Sequence, residues 1–157
     1  MKPLDRTDFA IIDALQNNAR LSNKELAHAV SLAPSSCLER VRRLRDAGVL
    51  QGFHAKVAPE ALGIGLQAMI AVQLVQHSAD IVQAFQRYMF ESPAVLSVFY
   101  LAGRTDFLLH VAVRDAAQLR ELAVEYITAR PEVGNVETSL IFEHQTRPDL
   151  PRYADAN

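Results

Sequence analysis

Apolar residues recur at helical spacing through the first third of the chain and at strand spacing through most of the rest, and the change falls near residues 59–65. Phe9, Ile12 and Leu15 predict one face of a helix over residues 4–15, with Asp5 near its start. Ser22 followed by Glu25 has the spacing of a capping box, and Leu26, Ala27 and Val30 then supply the apolar face of a second helix. Ser31, Leu32 and Ala33 make a corner. Pro34 suits a first helical position, Cys37, Val41 and Leu44 recur at helical spacing, and Gly48 is a C-terminal stop, so a third helix is predicted. Val49 to Val57 alternates loosely and reads as a short strand. Pro59 to Gly65 reads as a linker.

Beyond the linker the order is strand 66–75, helix 79–90 carrying Ile81, Phe85 and Met89, strands 95–101 and 107–113, a helix capped by Asp115, and strand 133–142. Leu119, Leu122, Ala123 and Tyr126 form the predicted buried face of the second helix. This β-α-β-β-α-β order is the split unit of ferredoxin-like folds, an antiparallel sheet with both helices on one face. The expected fold class is therefore α+β: an N-terminal trihelical, winged helix-turn-helix domain over 1–58, a linker over 59–65, a ferredoxin-like domain over 66–144 and a tail over 145–157. The strands look apolar on both sides, as in Leu96, Val98 and Tyr100 against Val95, Phe99 and Leu101. A second copy covering the open side is the economical solution, so a homodimer is expected.

Two short helices around a tight turn, the second rich in arginine, point to double-stranded DNA. A recognition helix hides one stripe against its partners while its first turns enter the major groove. With Cys37, Val41 and Leu44 hidden, Ser35, Ser36, Glu39, Arg40 and Arg43 face outward, where hydroxyls meet phosphate or base edges and arginines make bidentate contacts. Arg42 and Arg45 lie further round, toward backbone phosphates or solvent. Ser22, Asn23 and Lys24 at the start of the second helix complete the candidate DNA-contacting set. Glu39 either accepts from a cytosine or pairs with Arg43, and the ion pair is the favoured reading. A solvated basic face is the plain alternative for one such helix; the preceding helix and turn argue against it.

Charge divides along the same line. Residues 1–58 carry nine Lys or Arg against six Asp or Glu, a balance of +3, whereas residues 59–157 carry seven against twelve, or −5. The overall −2 therefore hides a basic unit joined to an acidic one. Cys37 is the one cysteine and occupies a core position, so no disulfide framework is expected and a reducing compartment is. No apolar run approaches the ~20 residues of a membrane span, and no signal peptide is evident, so the chain is expected in the cytoplasm, associated with the nucleoid. Five scattered histidines predict no metal site. Gly63-Ile-Gly65 with Ala68 matches a dinucleotide loop by letter but precedes a strand. No set of nucleophile, base and orienting group is visible, so neither an enzyme nor a cofactor is expected. Two rivals stand beside a DNA-binding regulator: a metabolite-binding module that acts on protein partners, and an architectural protein that wraps DNA with little sequence preference.

Taken together, Leu4-Asp5, Asp8, Ile12, Leu15-Gln16, Arg20-Leu21-Ser22, Glu25-Leu26-Ala27, Leu32, Cys37, Arg40, Arg43-Leu44, Gly48-Val49, Gly52-Phe53, Ala55, Pro59 and Leu62-Gly63 resemble the Lrp/AsnC family of feast/famine transcriptional regulators. Gly103-Arg-Thr-Asp106-Phe107 and the segment from Gly134 to Thr138 resemble its regulatory (RAM) module. Ala33 departs from the pattern, since relatives commonly place a capping Ser or Thr there. The resemblance implies a regulator of amino-acid-related metabolism whose sheets pair into dimers, which assemble into tetramers or octamers, and whose effector is an amino acid or related metabolite. It also implies effector binding by Gly103, Arg104, Thr105, Asp106 and Phe107, with Thr138 and Ser139 closing the site from a neighbouring subunit. Read from turn chemistry alone, Gly-Arg-Thr-Asp is a hairpin turn.

Overall fold

The computed structural model describes residues 3–147 and 149–154, which form two compact units. One holds the residues up to Lys56 together with those from Gln145 onward, and the other spans Val57–His144.

The first unit is built on three helices, α1 (Arg6–Asn17), α2 (Asn23–Ala29) and α3 (Pro34–Asp46). Asp5 caps α1 and forms a capping box with Asp8, and Ser22 caps α2 and forms one with Glu25. Hydrogen bonds from Ser22 hold the Glu25 carboxyl below its ordinary pKa. Ala33 provides no side-chain cap for α3, and Pro34 opens the helix instead. Ile11, Leu15, Leu26, Ala27, Cys37 and Leu44 are the buried core, with Ile12 and Val41 packed at its margin. The buried residues of α1 are Asp8, Phe9, Ile11 and Leu15, so Phe9 and Leu15 are buried as periodicity predicts while Ile12 is displaced to the margin. The buried carboxylate of Asp8 in the first turn is concealed from any reading based on hydropathy. Residues 49–57 form no strand: the Val49 and Leu50 amides donate to the Leu44 carbonyl at the end of α3.

The corner between α2 and α3 turns on Ser31, whose φ is +55°, and the Leu32 amide closes it by donating to the Ala27 carbonyl at 2.8 Å. A β-branched residue resists this left-handed backbone. Ser31→Val is expected to destabilise the chain by about 1–2 kcal/mol while Ser31→Gly is tolerated or mildly stabilising. Urea unfolding of both variants checks this, and equal midpoints would refute it.

The second unit contains β1 (Leu66–Leu74), α4 (Ala79–Glu91), β2 (Val95–Tyr100), β3 (Phe107–Val113), α5 (Ala116–Glu121) and β4 (Val133–Leu140). The sheet is antiparallel with order β2-β3-β1-β4, as the ferredoxin-like reading requires. Ala68, Ile70, Val72 and Leu74 of β1 and Phe107, Leu109, Val111 and Val113 of β3 point into one core with Phe85 and Met89 of α4. A register shift between Val95 and Ser97 lets Val95 and Val98 both join that core, so strict alternation along β2 fails at the bulge.

After α5 the chain continues as a π-helical segment, Leu122–Thr128. The Thr128 hydroxyl donates to the Ala123 carbonyl five residues back at 2.7 Å. Five-residue spacing brings Ile127 beneath Leu122, where it is fully buried. Of the face that 3.6-residue spacing assigned to Leu119, Leu122, Ala123 and Tyr126, the first two are buried and the other two are half-buried against the same core.

The open face of the sheet is less apolar than expected. Gln67, Met69, Ala71 and Gln73 of β1 share it with Leu108, His110 and Ala112 of β3, and with Asn135, Glu137 and Ser139 of β4. Phe99 is 48% exposed there. An apolar band of Met69, Ala71, Phe99 and Leu108 is flanked by amides, a histidine and a carboxylate. Burial, and secondarily His144, pushes the His110 pKa down.

Candidate DNA-reading helix and ligand cleft

Helix α3 turns one stripe, Cys37 and Leu44, into the core of its unit. Helical geometry then puts Ser35, Leu38, Glu39 and Arg42 on the side away from that core, while Ser36, Arg40 and Arg43 lie on one flank. Ser35, Ser36, Leu38, Glu39 and Arg42 are all exposed. Arg42 and Lys24 form no ion pair with any described residue. The first turn of α3 therefore offers two hydroxyls beside uncompensated backbone amides, with a free guanidinium two turns on. Such a surface suits phosphate and base edges.

Arg40 and Arg43 are placed differently from the outward pair that spacing suggested. Arg40 Nη1 donates to Asp5 Oδ2 at 2.6 Å and to Asp8 Oδ1 at 2.8 Å, and Arg43 Nη2 donates to both oxygens of Asp8 at 2.6 Å. Asp8 is 1% exposed. The hydrogen bond from Arg40, first among its causes, lowers the Asp5 pKa, and both carboxylates raise that of Arg40. Arg43 has thus taken a carboxylate of α1, and the expected Glu39–Arg43 ion pair is absent among the described residues. Asn23 is also occupied: its side-chain amide donates to the Pro34 carbonyl at 2.8 Å and ties α2 to the start of α3. Ser22 serves as the α2 cap.

The sequence-predicted effector residues separate in the second unit. Gly103 is exposed and a Cβ there would meet nothing within 4 Å, so the space beside it is open. Arg104 and Thr105 line a cleft of about 230 Å³ with Ala71, Gln73, Asn135 and Glu137. The Gln73 side-chain amide closes one wall by donating to the Arg104 carbonyl. Asp106 is turned the other way. Its Oδ2 accepts from the Leu74 amide at 2.7 Å, and its Oδ1 lies 2.9 Å from His77 Nε2. Phe107 is fully buried between Phe85 and Tyr100, with ring centroids 4.8 and 5.1 Å away, and does not line the cleft. Thr138 pairs with Ile70 and so belongs to the helix-bearing face, whereas Ser139 pairs with Met69 on the open face.

Gln73, Asn135 and Glu137 were not among the predicted effector residues, although Asn135 and Glu137 fall within the Gly134 to Thr138 segment. They meet because the β1–β4 register sets Gln73 opposite Asn135 and Ala71 opposite Glu137, and no local signal encodes a register between segments so far apart. The cleft presents one cation, one anion, two amides and a hydroxyl. Among the described residues no cluster of three or more His, Cys, Asp or Glu could hold a metal ion, and no helix is long and apolar enough to cross a membrane.

Comparison with known proteins extends over both units. Residues 4–51 match a winged helix-turn-helix DNA-binding model and residues 67–148 match the Lrp/AsnC ligand binding domain. The HTH-type transcriptional regulator AldR of Mycolicibacterium smegmatis is 45% identical over 143 residues, 91% of this chain and 84% of its own. The leucine-responsive regulatory protein of Haemophilus influenzae is 32% identical, covering 90% of this chain and 86% of its own. Among solved structures, the transcriptional regulator NMB0573/L-Met complex from Neisseria meningitidis matches with a TM-score of 0.82 at 34% identity, covering 92% of this chain and 93% of that one.

Proposed function

Because the chain belongs to the Lrp/AsnC family of DNA-binding transcriptional regulators with a ligand-binding domain, we propose that it reads its operator through the outward face of α3 and senses a free amino acid in the cleft beside Arg104. The observation that carries the DNA half is the set of side chains on that face that have no hydrogen bond or ion pair with a described residue. Ser35 and Ser36 meet phosphate or base edges at the helix start, Leu38 lies against thymine methyl groups, and Arg42 and Lys24 neutralise phosphates. Arg40 and Arg43 support the helix from its flank.

The effector half rests on the composition of the cleft. Arg104 suits a carboxylate, Glu137 an ammonium, and the amides of Gln73 and Asn135 the remaining polar atoms. A related regulator solved with L-Met supports the same ligand class. The apolar band on the open sheet face pairs with a second copy, giving a homodimer that presents two α3 helices to successive major grooves and serves as the unit of tetramers or octamers. Ligand shifts DNA occupancy only by binding one assembly or head spacing more tightly than another.

Arg42→Ala tests the DNA half. Loss of one phosphate contact lowers the slope of log affinity against log salt by about 0.9, for preferred and random duplexes alike. An unchanged slope in fluorescence-anisotropy titrations across salt would move the reading surface away from this face.

A further inference from the structure

Asp8 is the one buried charged residue of the chain among those described, and neither DNA reading nor effector binding uses it. Its carboxylate closes the α1 capping box with Asp5 and accepts from both flank arginines of α3, which lie 32 and 35 residues further along the chain. Two carboxylates face two guanidiniums, so the cluster is neutral, and both oxygens of Asp8 are engaged by arginine within the unit. Its geometry clamps α3 against the first turn of α1 on the flank that carries Ser36. We propose that Asp8 is a specificity-determining positioning residue. It fixes the rotation of the reading helix and withholds the charge of Arg43 from the DNA backbone, so that the outward face meets bases while non-specific attraction stays low.

The physical reason lies in what each contact can discriminate. A guanidinium on phosphate binds every sequence equally, and only contacts to base edges separate one site from another. Arg43 is 40% exposed at the rim of an open cleft with Ser36, Glu39 and Arg40, so once freed it would swing to a phosphate. Asp8 holds it with both oxygens. Asp5 has Arg40 as its own partner, so loss of the Asp8 charge would release one guanidinium rather than two.

This inference rests on α3 being the DNA-reading helix. The test uses the full-length chain, a duplex enriched by selection from random sequence and a random duplex, titrated across salt. Asp8→Asn keeps the size and loses the charge. The expected result is tighter binding to the random duplex, a salt slope steeper by about 0.9, and a smaller ratio of preferred to random affinity. Arg43→Gln is expected to leave the random-duplex slope unchanged, because the charge it removes is already consumed. It decides the matter even if Asp8→Asn fails to fold. A slope shallower by about 0.9 for Arg43→Gln would make Arg43 an ordinary phosphate contact and overturn the proposal, as would an unchanged slope in folded Asp8→Asn. If α3 does not read DNA at all, Arg42→Ala also leaves the slope untouched, which distinguishes that failure from this one.

Discussion

Replacing Phe107 by Ala is expected to destabilise the ligand-binding domain by about 3–5 kcal/mol. Phe107 opens the interior strand β3 at zero exposure, tilted against Phe85 of α4 and Tyr100 of β2. Truncation removes the buried ring and leaves a cavity that Ile70, Val72 and Leu109 cannot fill without moving strands locked by ladder hydrogen bonds. Phe107→Leu retains most of the volume and is expected to lose much less. Urea unfolding followed by circular dichroism, with effector binding measured on the same samples, separates the two roles this residue has been given. A Phe107→Ala chain of unaltered stability that no longer binds effector would return the side chain to the ligand site.

Asp106→Ala carries the next largest expected effect. The register of β1 against β4 slips between Gln73 and Leu74, and the Leu74 amide at the slip finds its acceptor in the Asp106 carboxylate. The Asp106 amide donates to the Val72 carbonyl and its carbonyl accepts from the Leu101 amide, so the residue brackets β1, β2 and the turn between β2 and β3. Removing the carboxylate orphans a part-buried donor, at about 1–3 kcal/mol, and loosens the turn that carries Arg104 and Thr105. Effector response is expected to fall with stability. Asp106→Asn still offers an oxygen to the Leu74 amide and is expected to keep most of both. Thermal shift with and without amino acids distinguishes the bracket from a ligand contact: a stable Asp106→Asn that has lost its response would mean that the carboxylate itself holds the effector ammonium.

Local signals carried most of the helical unit. Ser22 with Glu25, Pro34 and Gly48 act within a turn of their own position, and a capping box or a proline at a first helical position works whatever surrounds it. The stripe Cys37, Val41 and Leu44 is legible because one helix repeats it. The trihelical unit, the β-α-β-β-α-β order and the basic-to-acidic division were all readable on these grounds, and the family's motifs lie within them.

The sites were less legible, since each depends on partners distant in the chain. The loads on Arg40 and Arg43 come from Asp5 and Asp8, and before the helices pack nothing separates these arginines from Arg42. The cleft needs the β1–β4 register, which is set by how two strands bury one common face. Ile127 enters the core where the helix after α5 widens to five-residue hydrogen bonding, and Phe107 lies in the core because a motif position does not say which face of the sheet it occupies. The sequence by itself determined which segments become helix or strand and what chemistry each carries, because caps, turns and periodicity are short-range. Only the tertiary structure decided which charges are consumed and which remain for DNA or ligand, because pairing and burial depend on groups that folding alone brings together.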